Sequence, residues 1–355
     1  MSKVLIDKLL ALKPQGRSVE EIAKELGESV EKVKSLLEGK PALSDGYMLT
    51  SWISPLGDVS WQVLPPEPAA PGVKPRAFRF HMAKDVSYHR VFIPDDVVDE
   101  KGKPAKYIEL FPFSDVHWGH RECDKGNFMK DVKEVERRPN RYAFLNGDNM
   151  ENALPDSVGA AVLEQDATPR EQCHQSIEVY RRIAHKTVVA RPGNHEERAE
   201  RHGCINPLEV VCKVLDIPYF SGPSDMEIVW RGYRWTFFVK HGTGGSNTDG
   251  GQLTNAGRDR GYCDFRNFFI MGHVHNQKTH KVHRKVPRRK FGPDGQLEEF
   301  WIEEPKEYKV ICPSYLKYDG TYAQKAGYRP GSRNTIVIQL FANGDYHVVS
   351  SKRSQ

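Results

Sequence analysis

One pattern limits how this chain can fold more than any other: five times, a short apolar run stops at a turn bearing Asp, Asn or His. "YIELFPF" runs into "SDVHWGH", "RYAFLN" into "GDNMEN", "KTVVA" into "RPGNHE", "WTFFV" into "KHG" and "NFFIM" into "GHVH". Runs of this length, rich in Val, Ile, Phe and Tyr, suit buried strands and are too short for most helices. Between and beside them, residues 124–138, 168–185 and 206–215 space their apolar residues as helices do. Strands alternating with helices predict an α/β core.

Ligands of an open α/β sheet gather outside the carboxyl ends of its strands. The pattern therefore predicts that Asp115, His117, Asp148, Asn194, His241, His273 and His275 converge on one rim from distant segments. Carboxylate, imidazole and amide-oxygen donors without thiolates suit divalent manganese above all, with iron, zinc, magnesium or nickel as alternatives, and leave positions for water. Singly, each turn has an ordinary reading. An Asp or His there can cap a helix or face solvent, and Gly119, Gly147, Gly193, Gly242 and Gly272 can be plain turn glycines. Only the joint pattern points to metal.

The ordered set D-x-H, G-D, G-N-H-E, a lone histidine after a strand and G-H-x-H resembles the calcineurin-like metallophosphoesterases over residues 105–280. Within that superfamily it looks most like DNA-repair nucleases and phage-encoded members. The resemblance implies a four-layer α/β/β/α sandwich and two divalent metal ions. Asp115, His117, Asp148 and His275 would hold one ion; Asp148, Asn194, His241 and His273 would hold the other, with Asp148 bridging. A metal-activated hydroxide would attack phosphorus in line with the leaving oxygen. His195 is the implied catalyst that is not a ligand, as acid toward the leaving alkoxide or as stabiliser of phosphoryl charge. Glu196 is expected to orient His195. His120, Arg191 and Arg198 are further candidates for touching substrate, against the ordinary readings of a surface histidine and solvated or salt-bridged arginines.

The 355 residues allow a sizeable core plus a small accessory domain. Their 38% hydrophobic and 28% charged content fits a soluble globular protein. No apolar stretch approaches the roughly 18 residues of a membrane span, and the first residues lack the pattern of a signal peptide. The six cysteines are scattered, without metal-binding spacing, and read as reduced thiols in a cytoplasmic protein, mostly packing residues. A net charge of +5 permits a polyanionic partner without requiring one.

Residues 1–40 repeat a capped helical pattern, with a Ser18–Glu21 capping box, a stop at Gly27, and Ser29 and Gly39 bounding the next helix. The unit resembles a helix-turn-helix domain. Its last helix offers Lys32, Lys34 and Ser35 to DNA but also carries Glu31 and Glu38, so a protein-contact module is the alternative. Residues 41–75 read as a hairpin around "PLGD" and a Pro-rich linker, and 76–355 as the phosphoesterase domain. The Gly-rich stretch 242–267 reads as a lid or substrate loop, or as slack. The basic stretch 278–290 reads either as a nucleic-acid groove or as half of a hairpin neutralised by the acidic strand after "GPDG". A second hairpin is expected around Asn343–Gly344, and Tyr308, Tyr315, Tyr318, Tyr322 and Tyr328 read as half-buried strand residues rather than base-stacking ones.

The expected function is phosphodiester hydrolysis in nucleic acid, as a DNA nuclease. A small-molecule phosphatase or cyclic-nucleotide phosphodiesterase is the second reading. A DNA-binding regulator on an inactive phosphoesterase scaffold is the third. No capping domain like that of the repair nucleases is recognisable in the sequence.

Overall fold

Continuous apolar runs become strands here because both of their faces are covered. The computed structural model describes residues 72–82, 88–155, 157, 161–244, 246, 248–258, 267–291, 297–317, 324 and 334–352, with strands 48–53 and 59–64 and isolated positions between 21 and 29. The unit expected over 1–40 lies outside the described residues apart from those isolated positions. The strands of the first expected hairpin are present: β1 (Met48–Ile53) pairs antiparallel with β2 (Val59–Leu64), and the "PLGD" stretch between them lies outside the described residues.

Among the described residues, two mixed sheets and five α-helices make up the remainder. One sheet has the order β14-β13-β5-β6-β7, built from β5 (Tyr107–Phe113), β6 (Arg141–Asn146), β7 (Thr187–Arg191), β13 (Asn334–Phe341) and β14 (Tyr346–Lys352). Its β5, β6 and β7 run parallel, and the C-terminal hairpin joins antiparallel. The other sheet has the order β11-β12-β10-β9-β8-β4-β3. Its strands are β3 (Arg79–Met82), β4 (Tyr88–Phe92), β8 (Ser224–Trp230), β9 (Tyr233–Lys240), β10 (Phe268–Met271), β11 (Lys278–Phe291) and β12 (Leu297–Ile311).

A shared core of Leu110, Phe144 and Ile338 from the first sheet with Ile228, Phe237 and Ile270 from the second lies between them. Alternate residues of the same strands, such as Phe111, Phe113 and Leu145, point the other way. They pack with Phe128 and Val132 of α1 (Lys125–Arg137), Tyr180 of α2 (Pro169–Arg181) and Leu208 and Val211 of α4 (Pro207–Leu215). The remaining helices are α3 (Asn194–Gly203) and α5 (Asp249–Ala256). The three helices expected from spacing are all found, and local signals explain their starts. Asp124 caps α1; Thr168 and Glu171 form a capping box with Pro169 in the first turn of α2; Asn206 caps α4 just before Pro207.

Some expectations need correction. The helix expected to reach residue 185 ends at Arg181, and a separate short turn of 3₁₀ helix spans Ala184–Lys186. The Gly-rich stretch is not an open loop throughout. Thr248 caps α5, whose Leu253 and Ala256 pack against Met271 and Ile311. The basic and acidic stretches are the hairpin β11–β12, with Lys285 opposite Glu303 and Arg289 opposite Glu299. Tyr308 and Tyr315 are buried, and Tyr318, Tyr322 and Tyr328 lie outside the described residues. Cys123, Cys212 and Cys312 are buried and Cys173 is half-buried, as packing residues are, while Cys204 is exposed and Cys263 lies outside the described residues. No described helix is long and apolar enough to cross a membrane.

Candidate metal centre

Each expected donor sits directly after the strand that aims it. Asp115 and His117 follow β5, Asp148 follows β6, Asn194 opens α3 beyond β7, His241 follows β9, and His273 and His275 follow β10. The backbone must turn sharply to point these side chains at one another. Asp115, His117, Asp148, His273 and His275 all have φ between 48° and 70°. Non-glycine residues enter this left-handed region at a cost of about 1–3 kcal/mol each. Hydrogen bonds between the loops offset it: Asp115 N–H donates to Gly147 C=O (3.0 Å), His117 N–H to Asp148 C=O (2.9 Å), and His273 N–H to Asp115 Oδ1 (2.9 Å). At Gly147, with φ of 83°, a Cβ would run into the His241 ring.

The expected donors form two groups, and His117 also clusters with Glu151 and His195. Asp115, His117 and His275 form one and Asp148, His241 and His273 the other, each with its donor atoms within 4.8 Å of one another. Asp148 lies between them, its Oδ2 3.1 Å from His241 Nε2 and 3.9 Å from His117 Nε2. Asn194 Oδ1 adds to the second group, 2.9 Å from His273 Nδ1 and 3.2 Å from His241 Nε2. In the first, His275 Nε2 is 3.3 Å from Asp115 Oδ1 and 3.1 Å from His117 Nε2. All seven expected donors therefore come together.

Their outer partners fix which way the lone pairs face. His117 Nδ1 lies 2.8 Å from Glu151 Oε2, an acceptor, so Nδ1 carries the proton and Nε2 presents its lone pair inward. His241 Nδ1 likewise donates to the Asn146 carbonyl at 2.8 Å, leaving Nε2 facing Asp148 Oδ2 and Asn194 Oδ1. Lone pairs of a carboxylate, an amide oxygen and an imidazole pointing at one another form a donor set for a cation. These buried groups can hold a metal ion. Without a cation a proton takes this place on Nε2: burial would lower the pKa of His241, yet the Asp148 carboxylate raises it to about 10, so a metal ion binding there has to displace that proton. Burial alone would raise Asp148, but the imidazoles of His241 and His195 hold it well below the usual carboxylate range.

His195 stands at the edge of both groups. Its backbone N–H donates to Asp148 Oδ1 (3.0 Å), its Nδ1 lies 2.6 Å from the Glu151 carbonyl, and its Nε2 lies 3.9 Å from Asp148 Oδ2. The Asp148 and Glu151 carboxylates outweigh its burial and raise its pKa. Arg198 braces this corner, reaching the Glu151 carbonyl at 3.2 Å and lying 3.0 Å from His195 Nδ1.

Three expectations fail here. Glu196 makes no contact that orients His195. It is fully buried, and its carboxylate accepts the N–H groups of Gly193, Asp148, Asn149 and Met150 at 2.7–3.0 Å. It clamps the Asp148 loop to the Gly193 loop. Arg191 cannot reach a phosphate at the rim, because its buried guanidinium donates to the carbonyls of Gly222 and Val239 and to Ser224 Oγ, tying β7 to the other sheet. His120 is buried rather than on the surface; its Nδ1 accepts the Glu122 N–H, and its Nε2 lies 3.7 Å from Glu164. Sequence reasoning missed Glu151. Its signal was its place three residues after Asp148 in the same turn.

The sequence matches no protein-family model, and no curated protein matches it.

Proposed function

We propose that this chain is a two-metal phosphoesterase of the calcineurin-like type that hydrolyses phosphodiester bonds, with DNA as its substrate. The observation that carries the reading is the meeting of seven donors from five strand ends, with Asp148 placed between two groups. The layering supports it. Helices α1, α2 and α4 back the five-stranded sheet, that sheet faces the seven-stranded one, and α5 packs beyond it, as in an α/β/β/α sandwich.

In this reading Asp115, His117, Asp148 and His275 hold one divalent cation and Asp148, Asn194, His241 and His273 the other. Manganese, iron, zinc, magnesium and nickel all suit such donors, and the pair supplies Lewis acidity toward a phosphoryl oxygen and activation of water. The protein's own groups do the rest. His195 Nδ1 is committed to the Glu151 carbonyl, so Nε2 is the nitrogen that hands a proton to the leaving oxygen or steadies charge on the phosphoryl oxygens. Glu151 fixes the ring of His117 and crowds that of His195. Arg198 donates to the Glu151 carbonyl and so steadies the acceptor that holds the His195 ring.

One observation favours a second reading. Opposite charges face each other across β11–β12, so this hairpin is not the uniformly basic groove that a long polyanion would favour. A small-molecule phosphatase or cyclic-nucleotide phosphodiesterase fits that surface.

The test compares the manganese-loaded protein on single-stranded DNA, duplex DNA, a cyclic nucleotide, and mono- and diester aryl phosphates. DNA cleavage that disappears in His195→Ala supports the nuclease. Turnover of the small esters alone moves the assignment to the second reading, and no turnover of any substrate refutes both.

A further inference from the structure

The strands β11 and β12 outrun the sheet they belong to. Only Tyr308–Ile311 of β12 pair with β10. Beyond a register shift at Val282/His283, nine residue pairs from His283–Pro305 to Phe291–Leu297 continue as two strands. At about 3.3 Å per residue this arm is roughly 30 Å long. Among the described residues no third strand borders it. A two-stranded ribbon by itself is marginally stable in water and needs a further layer.

One face of the arm is built to receive such a layer. Cross-strand partners share a face, and alternate pairs fall on the same side. That puts Lys285 with Glu303, Pro287 with Trp301 and Arg289 with Glu299 on one side, with Leu297 at its end. All of these residues are exposed, Trp301 at 63% and Leu297 at 56%. Val286 and Ile302 on the opposite side are half-buried. The exposed face thus has an apolar centre framed by a basic residue on β11 and an acidic one on β12 at each level.

We infer that this face binds the same face of a second copy of the chain. A two-fold axis along the arm lays β11 of one copy over β12 of the other. Lys285 then meets Glu303, Arg289 meets Glu299, and the Pro287–Trp301 pair meets its own copy at the same level. A nucleic acid would find as many carboxylates as cations on this face. Edge-to-edge pairing of β11 with itself is blocked by facing Lys and Arg side chains and by Pro287, which has no N–H to give. One face of such an arm covers less than the roughly 1,200–2,000 Å² of a standard interface, so the dimer is weak and concentration-dependent.

Sedimentation velocity of the full chain over the micromolar range tests this. The expected result is a concentration-dependent shift from one chain to two that Trp301→Ser abolishes with the thermal unfolding of the core unchanged. Lys285→Glu/Arg289→Glu and Glu299→Lys/Glu303→Lys should each be monomeric alone and associate one-to-one when mixed. A parent protein that stays monomeric throughout would overturn the inference. So would a dimer that survives all three variants, or association that appears only when an oligonucleotide is added.

Discussion

Glu196 shows why the donors alone do not make the centre. Its one carboxylate takes four backbone N–H groups from two loops, all out of water. Glu196→Gln keeps the volume but turns one acceptor end into a donor facing donors. Leaving a buried donor unsatisfied costs about 1–3 kcal/mol. The denaturation midpoint should therefore fall with an unchanged slope; an unmoved midpoint would show that the clamp contributes nothing. His89 makes a different kind of prediction. It is fully buried, its ring stacks on Phe220 at 4.6 Å, and neither ring nitrogen is hydrogen-bonded among the described residues. Burial, and then the Arg191 guanidinium, hold its pKa well below 6.5. Below pH 6.5 the unfolded chain binds a proton at this site that the folded chain refuses. Stability is thus lost as pH falls through 6.5, by up to about 1.4 kcal/mol per pH unit. Urea unfolding of His89→Phe should show a shallower loss than the parent below that pH, and parallel profiles would contradict the assignment. At this scale the sequence revealed the donor types, because metal chemistry restricts them to a few residues. It hid the left-handed φ values of Asp115, His117, Asp148, His273 and His275, and it hid the partners of Arg191 and Glu196. Those depend on which loops meet, and nothing local to the residues records that.

Among the elements, strands buried on both faces and helices that join a side-chain cap to a clear apolar stripe were legible, since "YIELFPF" or the run from Thr168–Pro169 to Tyr180 carries its own signal. α3 and α5 were not. The first is strongly polar, with Glu196 as its only buried residue, and the second lies in a Gly-rich stretch with a weak apolar stripe. Tertiary contacts hold both in place. The C-terminal end of α1 has an equally non-local anchor. Lys186 Nζ donates to the carbonyls of Val135, Glu136 and Arg138 at 2.9, 3.2 and 2.8 Å. These are carbonyls that the end of a helix leaves without partners. Lys186→Met should cost about 2–3 kcal/mol, the order of a few lost bonds to a charged donor. Hydrogen exchange should show the last turn of α1 opening first; protection equal to the parent's would remove this role.

For the molecule as a whole, the sheets exist to bring strand ends from residues 113 to 271 to one rim. The order of the motifs made part of that convergence readable, because parallel strands of one sheet release their turns on the same side; that β5, β6 and β7 lie in one sheet and β9 and β10 in another, with both carboxyl ends facing one rim, was not. How the segment over residues 1–40 relates to the rim was not readable, since the charge of its expected last helix nearly cancels and its pattern suits either DNA or protein contacts. Metal stoichiometry therefore tests the central claim most directly. Metal-free protein is dialysed against manganese, and bound metal is counted per chain for the parent and for Asp148→Asn. Two ions in the parent, with both sites weakened by the single substitution, is the expected result. No bound metal in the parent, or an Asp148→Asn variant that binds as the parent does, would contradict a centre shared across Asp148.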